Sequence, residues 1–311
     1  MTEIRHDDEP AFARSTARAA TAVSGPPPDP RRLAGGKLRR GLKQALLALP
    51  LVALVLWTLA PFLVTVSVSF KERADVFANP GLIPTNPNLD AYREVLASES
   101  FTTSLVNSVI VGVGTTLLTL VIGVPAAYAF ARFNFRGRHL LLLFTLLPRL
   151  VPSLGLMVPI YRLAVATGML DKRLTLVIVY TGMLLPLAVW LMVGFFQQIP
   201  REIEEAANVD GASLWGRLRY IVAPLAAPAM ITIGVLAFRE AWNEFNLVLA
   251  LTSTPGSRTL PYELFQMTQT TGFQDNPGQA AFAIMTIIPF IFVYLRLEKY
   301  VVSGLTSGAL K

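Results

Sequence analysis

Residues 201–228 read REIEEAANVDGASLWGRLRYIVAPLAAP, a polar island between two long apolar stretches. Pro200, just before it, suits the first turn of a helix, where a missing N–H costs no hydrogen bond. Glu202, Glu204 and Glu205 fall in or just after that turn, near the positive end of the helix dipole. Asp210-Gly211 is a turn dipeptide, because Gly tolerates positive φ. A second helix is expected over roughly 212–222, with Leu214, Leu218 and Ile221 sharing a face at helical spacing. Pro224 and Pro228 then redirect the chain into the next apolar stretch. The product is a short helix–turn–helix with Ala206, Ala207 and Ala212 near its bend, where small side chains let another surface approach closely. Its residues leave two readings open: a knob set into a partner, and an amphipathic loop lying on a bilayer.

Outward from the island lie six apolar stretches, at about 45–68, 105–130, 140–161, 174–196, 223–251 and 280–295. About 30 Å of hydrocarbon is crossed by a helix of roughly 20 residues. The fold class expected is therefore an all-α integral membrane protein with six transmembrane helices. Composition agrees: 53% of the 311 residues are hydrophobic and 15% are charged, where a soluble domain carries roughly a quarter charged. Mean hydropathy is +0.52. The net charge of +7 is read as basic residues gathered on the cytoplasmic side of a membrane, not as a nucleic-acid footprint.

There is no cysteine, which excludes disulfides and thiol chemistry. His6 and His139 are far apart in sequence, so no metal site is expected. No phosphate-binding loop is present, and no nucleophile–base constellation. The chain is not read as an enzyme and is expected to bind no cofactor.

Residues 1–44 mix Pro, Gly, Arg and acidic residues and are expected to form a disordered basic tail. The stretch is too long and too charged for a signal peptide. Residues 45–311 form the second expected domain, with the polar loop at about 197–223. Most of the 27 basic residues fall in the tail, around 132–138, in 201–219 and at 296–311. The positive-inside rule then puts both termini and the polar loop in the cytoplasm. The segment 71–103 lies outside, with Leu89, Tyr92, Val95 and Leu96 on one face of a short amphipathic helix.

Glu205-Ala206-Ala207, Asp210-Gly211-Ala212, Leu218, Ile221 and Pro224 resemble the "EAA" loop of ABC-importer permeases. The likeness extends over 45–311, toward the carbohydrate uptake family that holds the smaller permease subunit of maltose-type importers. Asn107-Ser108, the run Ala127-Tyr128-Ala129-Phe130-Ala131-Arg132-Phe133, Trp242-Asn243-Glu244-Phe245 and Thr259-Leu260-Pro261 carry it, as does the tail from Gly304 to Lys311. Arg149, between Pro148 and Pro152, departs from the family pattern, as does the length of the N-terminal tail.

The resemblance implies a type I permease working by alternating access in a bacterial inner membrane. It implies a second permease in a heterodimer, a pair of ATPase subunits using ATP and Mg, and an extracytoplasmic sugar-binding protein. Glu205, Ala206, Ala207, Asp210, Gly211, Ala212, Leu218, Ile221 and Pro224 would couple to the ATPase, with Gly308 and Lys311 as further contacts. The solute that the resemblance implies is a di- or oligosaccharide, with a polyol or a glycerol phosphate as the alternative.

Ionisable residues in a span cost a few kcal/mol and commonly face a cavity or a partner. Arg149, Glu240, Trp242, Asn243, Glu244 and Asn246 are the candidates for a solute path. Glu240 and Glu244, four apart, are expected to share a helix face and to need a counter-charge, a proton or water, with Arg149 as a candidate partner. The bland alternative is that these groups bond between helices and set the packing. An ion-coupled carrier using Glu240, Glu244 and Arg149 as a relay would show repeats or broken helices, and neither is evident in the sequence. Gly112 and Gly114 are read as sites of close helix packing.

Overall fold

Hydrocarbon offers backbone N–H and C=O groups no partner, so each apolar segment must satisfy its own. The computed structural model, which describes residues 30–271 and 275–307, is accordingly helical, with no strand among the described residues. The all-α membrane expectation holds.

The chain divides into two units, Met1–Phe62 and Leu63–Lys311. Helix α1, Pro30–Ser69, begins in the first. The described side chains from Ala48 to Phe62 are all exposed, a face suited to lipid rather than water. Of the tail expected over 1–44, residues 1–29 lie outside the described residues. From Pro30 the backbone is already helical, well before the first apolar stretch.

In the second unit α2 (Asp90–Ala97) leads into the long α3 (Glu99–Arg132). The face that α2 buries is Ala91 and Val95 with half-buried Tyr92, while Leu89 and Leu96 are exposed, unlike the expected stripe. Next come α4 (Arg138–Leu146), a 3₁₀ turn at Leu147–Leu150, α5 (Ser153–Ala166) and α6 (Arg173–Gln198). The polar loop holds α7 (Arg201–Val209) and α8 (Leu214–Arg217). Then follow α9 (Ala227–Asn243), α10 (Asn246–Leu251), α11 (Leu260–Thr271) and α12 (Asn276–Ser307).

Among the described residues four helices are long and apolar enough to cross a membrane, and six spans result if each of two bent pairs counts as one. Breaks this sharp were not evident in the sequence. The pair Arg138–Leu150 and Ser153–Ala166 turns through 94°, and Leu214–Leu225 and Ala227–Asn243 through 79°. The first break sits at Pro152, whose preceding residue Val151 is extended (ψ 122) as a residue before proline prefers. The second sits at Ala226 between Pro224 and Pro228. The fifth stretch breaks again, because α9 ends at Asn243 and Glu244 is extended.

α3 is the axis of this unit. It lies along α6 on one side and α9 on another, and α9 also packs on α12. A Cβ at Gly112 would stand 2.8 Å from the Phe238 ring of α9, and one at Gly114 3.0 Å from Val177 of α6. The absent side chains are what let these helices close on α3, as small residues do in bilayers.

The ends are pinned. Asn107 Nδ2 donates to the carbonyls of Pro255 (3.3 Å) and Arg258 (2.8 Å), and the Leu260 amide donates to Ser108 Oγ (2.8 Å). Asp171, at φ +60, takes the amides of Ser253 (2.9 Å) and Thr254 (3.2 Å) and the hydroxyls of Thr254 and Ser257. Burial pushes this carboxyl up, and those four hydrogen bonds more than reverse it, holding it at about 2.

Candidate functional site

The breaks at Pro152 and Glu244 border a cavity of about 660 Å³. Apolar walls come from α5 and α6, among them Leu156, Ile160 and Ile178. Five of the six solute-path candidates, Arg149, Glu240, Asn243, Glu244 and Asn246, line it. The sixth, Trp242, does not. It is buried, its ring stacked on Phe238 at 5.3 Å, in a core shared with Phe101, Leu260 and Phe282.

Arg149 sits on the 3₁₀ turn of the broken third stretch and not within a continuous span. Its Nη1 donates to the Met183 carbonyl at 3.3 Å. It makes no ion pair among the described residues, so it is not the expected counter-charge for Glu240 and Glu244.

Glu240 and Glu244 do not share a helix face, since α9 stops between them. Glu240 pairs with its neighbour Arg239 at 2.8 Å. Glu244 accepts from the amides of Leu247 (3.0 and 3.1 Å) and Val248 (3.2 Å) at the start of α10, and from the Tyr180 hydroxyl (2.8 Å). An anion at a helix N-terminus is stabilised by the orphan amides and the dipole, so its charge needs no cation.

Asn246 Nδ2 lies 3.4 Å from Ser153 Oγ, and Asn243 Nδ2 donates to the Arg239 carbonyl at 2.8 Å. Asn243, Asn246, Arg149 and Glu240 thus bring amide, guanidinium and carboxylate groups to the cavity lining. Polar groups of both kinds against apolar walls suit a hydroxyl-rich solute with hydrophobic ring faces.

At the loop, α7 ends in a Schellman turn. The Gly211 amide donates to the Asn208 carbonyl (3.1 Å), and the Ala212 amide to the Ala207 carbonyl (2.9 Å). Gly211 holds φ +85 with nothing within 4 Å of where a Cβ would stand. The second helix begins at Leu214, where Ser213 Oγ accepts from the Gly216 amide at 3.1 Å. A π-turn over Leu218–Val222 interrupts it, so Leu218 and Val222 are buried while Leu214 is exposed and Ile221 half-buried. That corrects the expected single face.

Of the loop candidates, Glu205, Ala206, Asp210, Gly211 and Pro224 are exposed, Ala212 is half-buried, and Ala207 is buried. Exposed Val209, Trp215 and Tyr220 add apolar area to the same loop. Gly308 and Lys311 lie outside the described residues.

One residue stands out that sequence reading valued only for the helix dipole. Glu204 is buried, with Arg132 Nε 2.6 Å from its Oε1 and the Tyr128 hydroxyl donating to its Oε2 at 2.6 Å. The signal was present, since Tyr128 and Arg132 are four apart at the end of an apolar stretch, but nothing in it pairs them with Glu204.

Residues 119–307 match the family described as "Binding-protein-dependent transport system inner membrane component". The chain is 37% identical over 256 residues to the trehalose transport system permease protein SugB of Mycobacterium tuberculosis, covering 82% of this chain and 93% of that protein. It is 33% identical over 272 residues to the trehalose/maltose transport system permease protein MalG of Thermococcus litoralis, covering 87% and 98%. Among solved structures it resembles a chain of a bacterial ABC transporter involved in import of the acidic polysaccharide alginate. The TM-score is 0.71 at 27% identity, over 83% of this chain and 96% of that one.

Proposed function

The chain belongs to the family of binding-protein-dependent transport system inner membrane components, the permeases of ABC importers, and from that premise we propose that it carries a di- or oligosaccharide across the bacterial inner membrane. The observation that carries the solute class is the cavity between the broken helices. Its amide, guanidinium and carboxylate groups converge on apolar walls, as a polyhydroxylated ring requires. Relatives named for trehalose and maltose support the same class.

In this reading the 201–228 loop is cytoplasmic, as are both termini, and its exposed face docks into an ATPase subunit. ATP and Mg are used there. A second permease completes the path, and an extracytoplasmic binding protein delivers the sugar. Closure of the ATPase pair moves the loop, and alternating access follows at the cavity. Broken helices also occur in ion-coupled carriers, so the breaks do not separate the two mechanisms. Family membership supports the ATP-driven reading.

Mild-detergent purification from the native membrane tests the assembly. A second permease and an ATPase should accompany the chain, and a homo-oligomer without ATPase would overturn the reading. Uptake of trehalose, maltose, a polyol and glycerol phosphate into vesicles bearing the assembly then separates the solute classes.

A further inference from the structure

α7 is a helix of under three turns whose outer side is exposed at Glu205, Ala206 and Val209. Its inner side carries buried Glu204 and Ala207. At one end it joins α6 through Ile199-Pro200, and at the other it stops at the Gly211 bend. Such a helix would swivel under load unless something fixed it to the bundle.

The Glu204 cluster does so. Arg132 is the last residue of α3, and its guanidinium reaches two places at once: Nε meets Glu204 Oε1 at 2.6 Å, and Nη2 donates to the Ile199 carbonyl at 3.0 Å. The Arg132 and Glu204 side chains are 9% and 8% exposed. Tyr128, one turn earlier on α3, holds the second carboxylate oxygen and packs edge-on to Phe196 of α6 at 6.2 Å. One guanidinium thus ties together the ends of α3, α6 and α7. A buried pair with its remaining hydrogen bonds satisfied has a fixed geometry, and removing one partner leaves a charge stranded. From there α3 runs the length of the unit to Asn107, flanked by the two helices that carry Met183 and Glu240 to the cavity.

We propose that Tyr128, Arg132 and Glu204 are positioning residues, forming the rigid joint that makes α7 and α3 move as one body when the ATPase moves the loop. The inference rests on the coupling reading of the 201–228 loop. The chain has no cysteine, so it adds no thiol of its own to the two introduced for spin labels.

The experiment uses the assembled importer in lipid nanodiscs. One label pair, Val209→Cys with Phe133→Cys, spans the joint. A second, Val209→Cys with Val165→Cys, reports α7 against the cavity helix α5. Distances are read with and without a non-hydrolysable ATP analogue.

With the native joint, the first distance should stay narrow and unchanged by nucleotide while the second shifts. In Glu204→Gln the first should broaden and become nucleotide-sensitive. Where that variant does not assemble, Tyr128→Phe, which keeps the ring packing, is read instead. A first distance that moves with nucleotide in the native joint overturns the proposal. So does a variant in which it stays narrow and insensitive. If the second distance never shifts in the native assembly, the coupling reading itself fails, which is a separate result.

Discussion

The Tyr180 hydroxyl lies 2.8 Å from Oε2 of Glu244, and the same carboxylate receives the amides of Leu247 and Val248. A charge expected to need a counter-charge, a proton or water is held by a helix N-terminus and one phenol, at the break where the fifth apolar stretch meets the cavity.

Glu244→Gln keeps the shape but loses the charge-assisted bonds, each of which contributes about 1.5–3 kcal/mol. The purified assembly should unfold at lower temperature, and sugar uptake should fall. Uptake unchanged over a range of pH and sugar concentration would return Glu244 to a packing role.

Gly211 tests the loop through its backbone. An L-residue in the left-handed region costs about 1–2 kcal/mol, with Asn the best tolerated. No neighbour stands where the new Cβ would go, so the effect is conformational. Transport per ATP should decrease in the order Gly, Asn, Ala, Val at residue 211, with membrane insertion equal throughout. Normal coupling in Gly211→Val would count against the docking of this bend.

Trp242 and Arg149 should separate. Trp242→Phe removes part of a buried ring stacked on Phe238. It should lower thermal stability by about 1–3 kcal/mol and leave the order of preference among sugars unchanged. Arg149→Ala, at the cavity, should alter that preference and leave stability within about 0.5 kcal/mol. Competition uptake beside thermal unfolding reads both.

Gly112→Ala would place a methyl 2.8 Å from the Phe238 ring. Overpacking of this kind costs about 1–3 kcal/mol, and Phe238→Leu in the same chain should recover part of it. Thermal unfolding in detergent is the check, and independent effects of the two changes would place the strain elsewhere.

Asp171 sets a pH dependence. Its carboxyl is held at about 2, below the ordinary aspartate value of 3.8, so the folded state favours the charged form. The stability it contributes is present above 3.8 and lost as pH falls through about 2. Amides in the 252–259 loop, corrected for intrinsic exchange, should stay protected at pH 5 and lose protection below about 2. In Asp171→Asn that protection should be weaker at pH 5 and lack this step.

How much was legible divides along physical lines. The exposed turn at Asp210-Gly211 was readable because its chemistry is local: a left-handed residue is a property of the glycine itself. The Gly112 and Gly114 contacts were readable because small residues in apolar helices signal close approach. Leu214 and Ile221 were misplaced because a π-turn rotates the helix after Arg217, and no local preference announces it.

The sequence by itself determined a membrane protein, its apolar segments, its polar loop and the family, because hydrophobic length and turn chemistry act over neighbouring residues. Only tertiary structure decided that the third and fifth stretches break, that Trp242 is core while Arg149 and Asn246 meet across a cavity, and that Glu204 belongs to Arg132. Those are pairings between helices far apart in the chain, and packing within the bundle selects them.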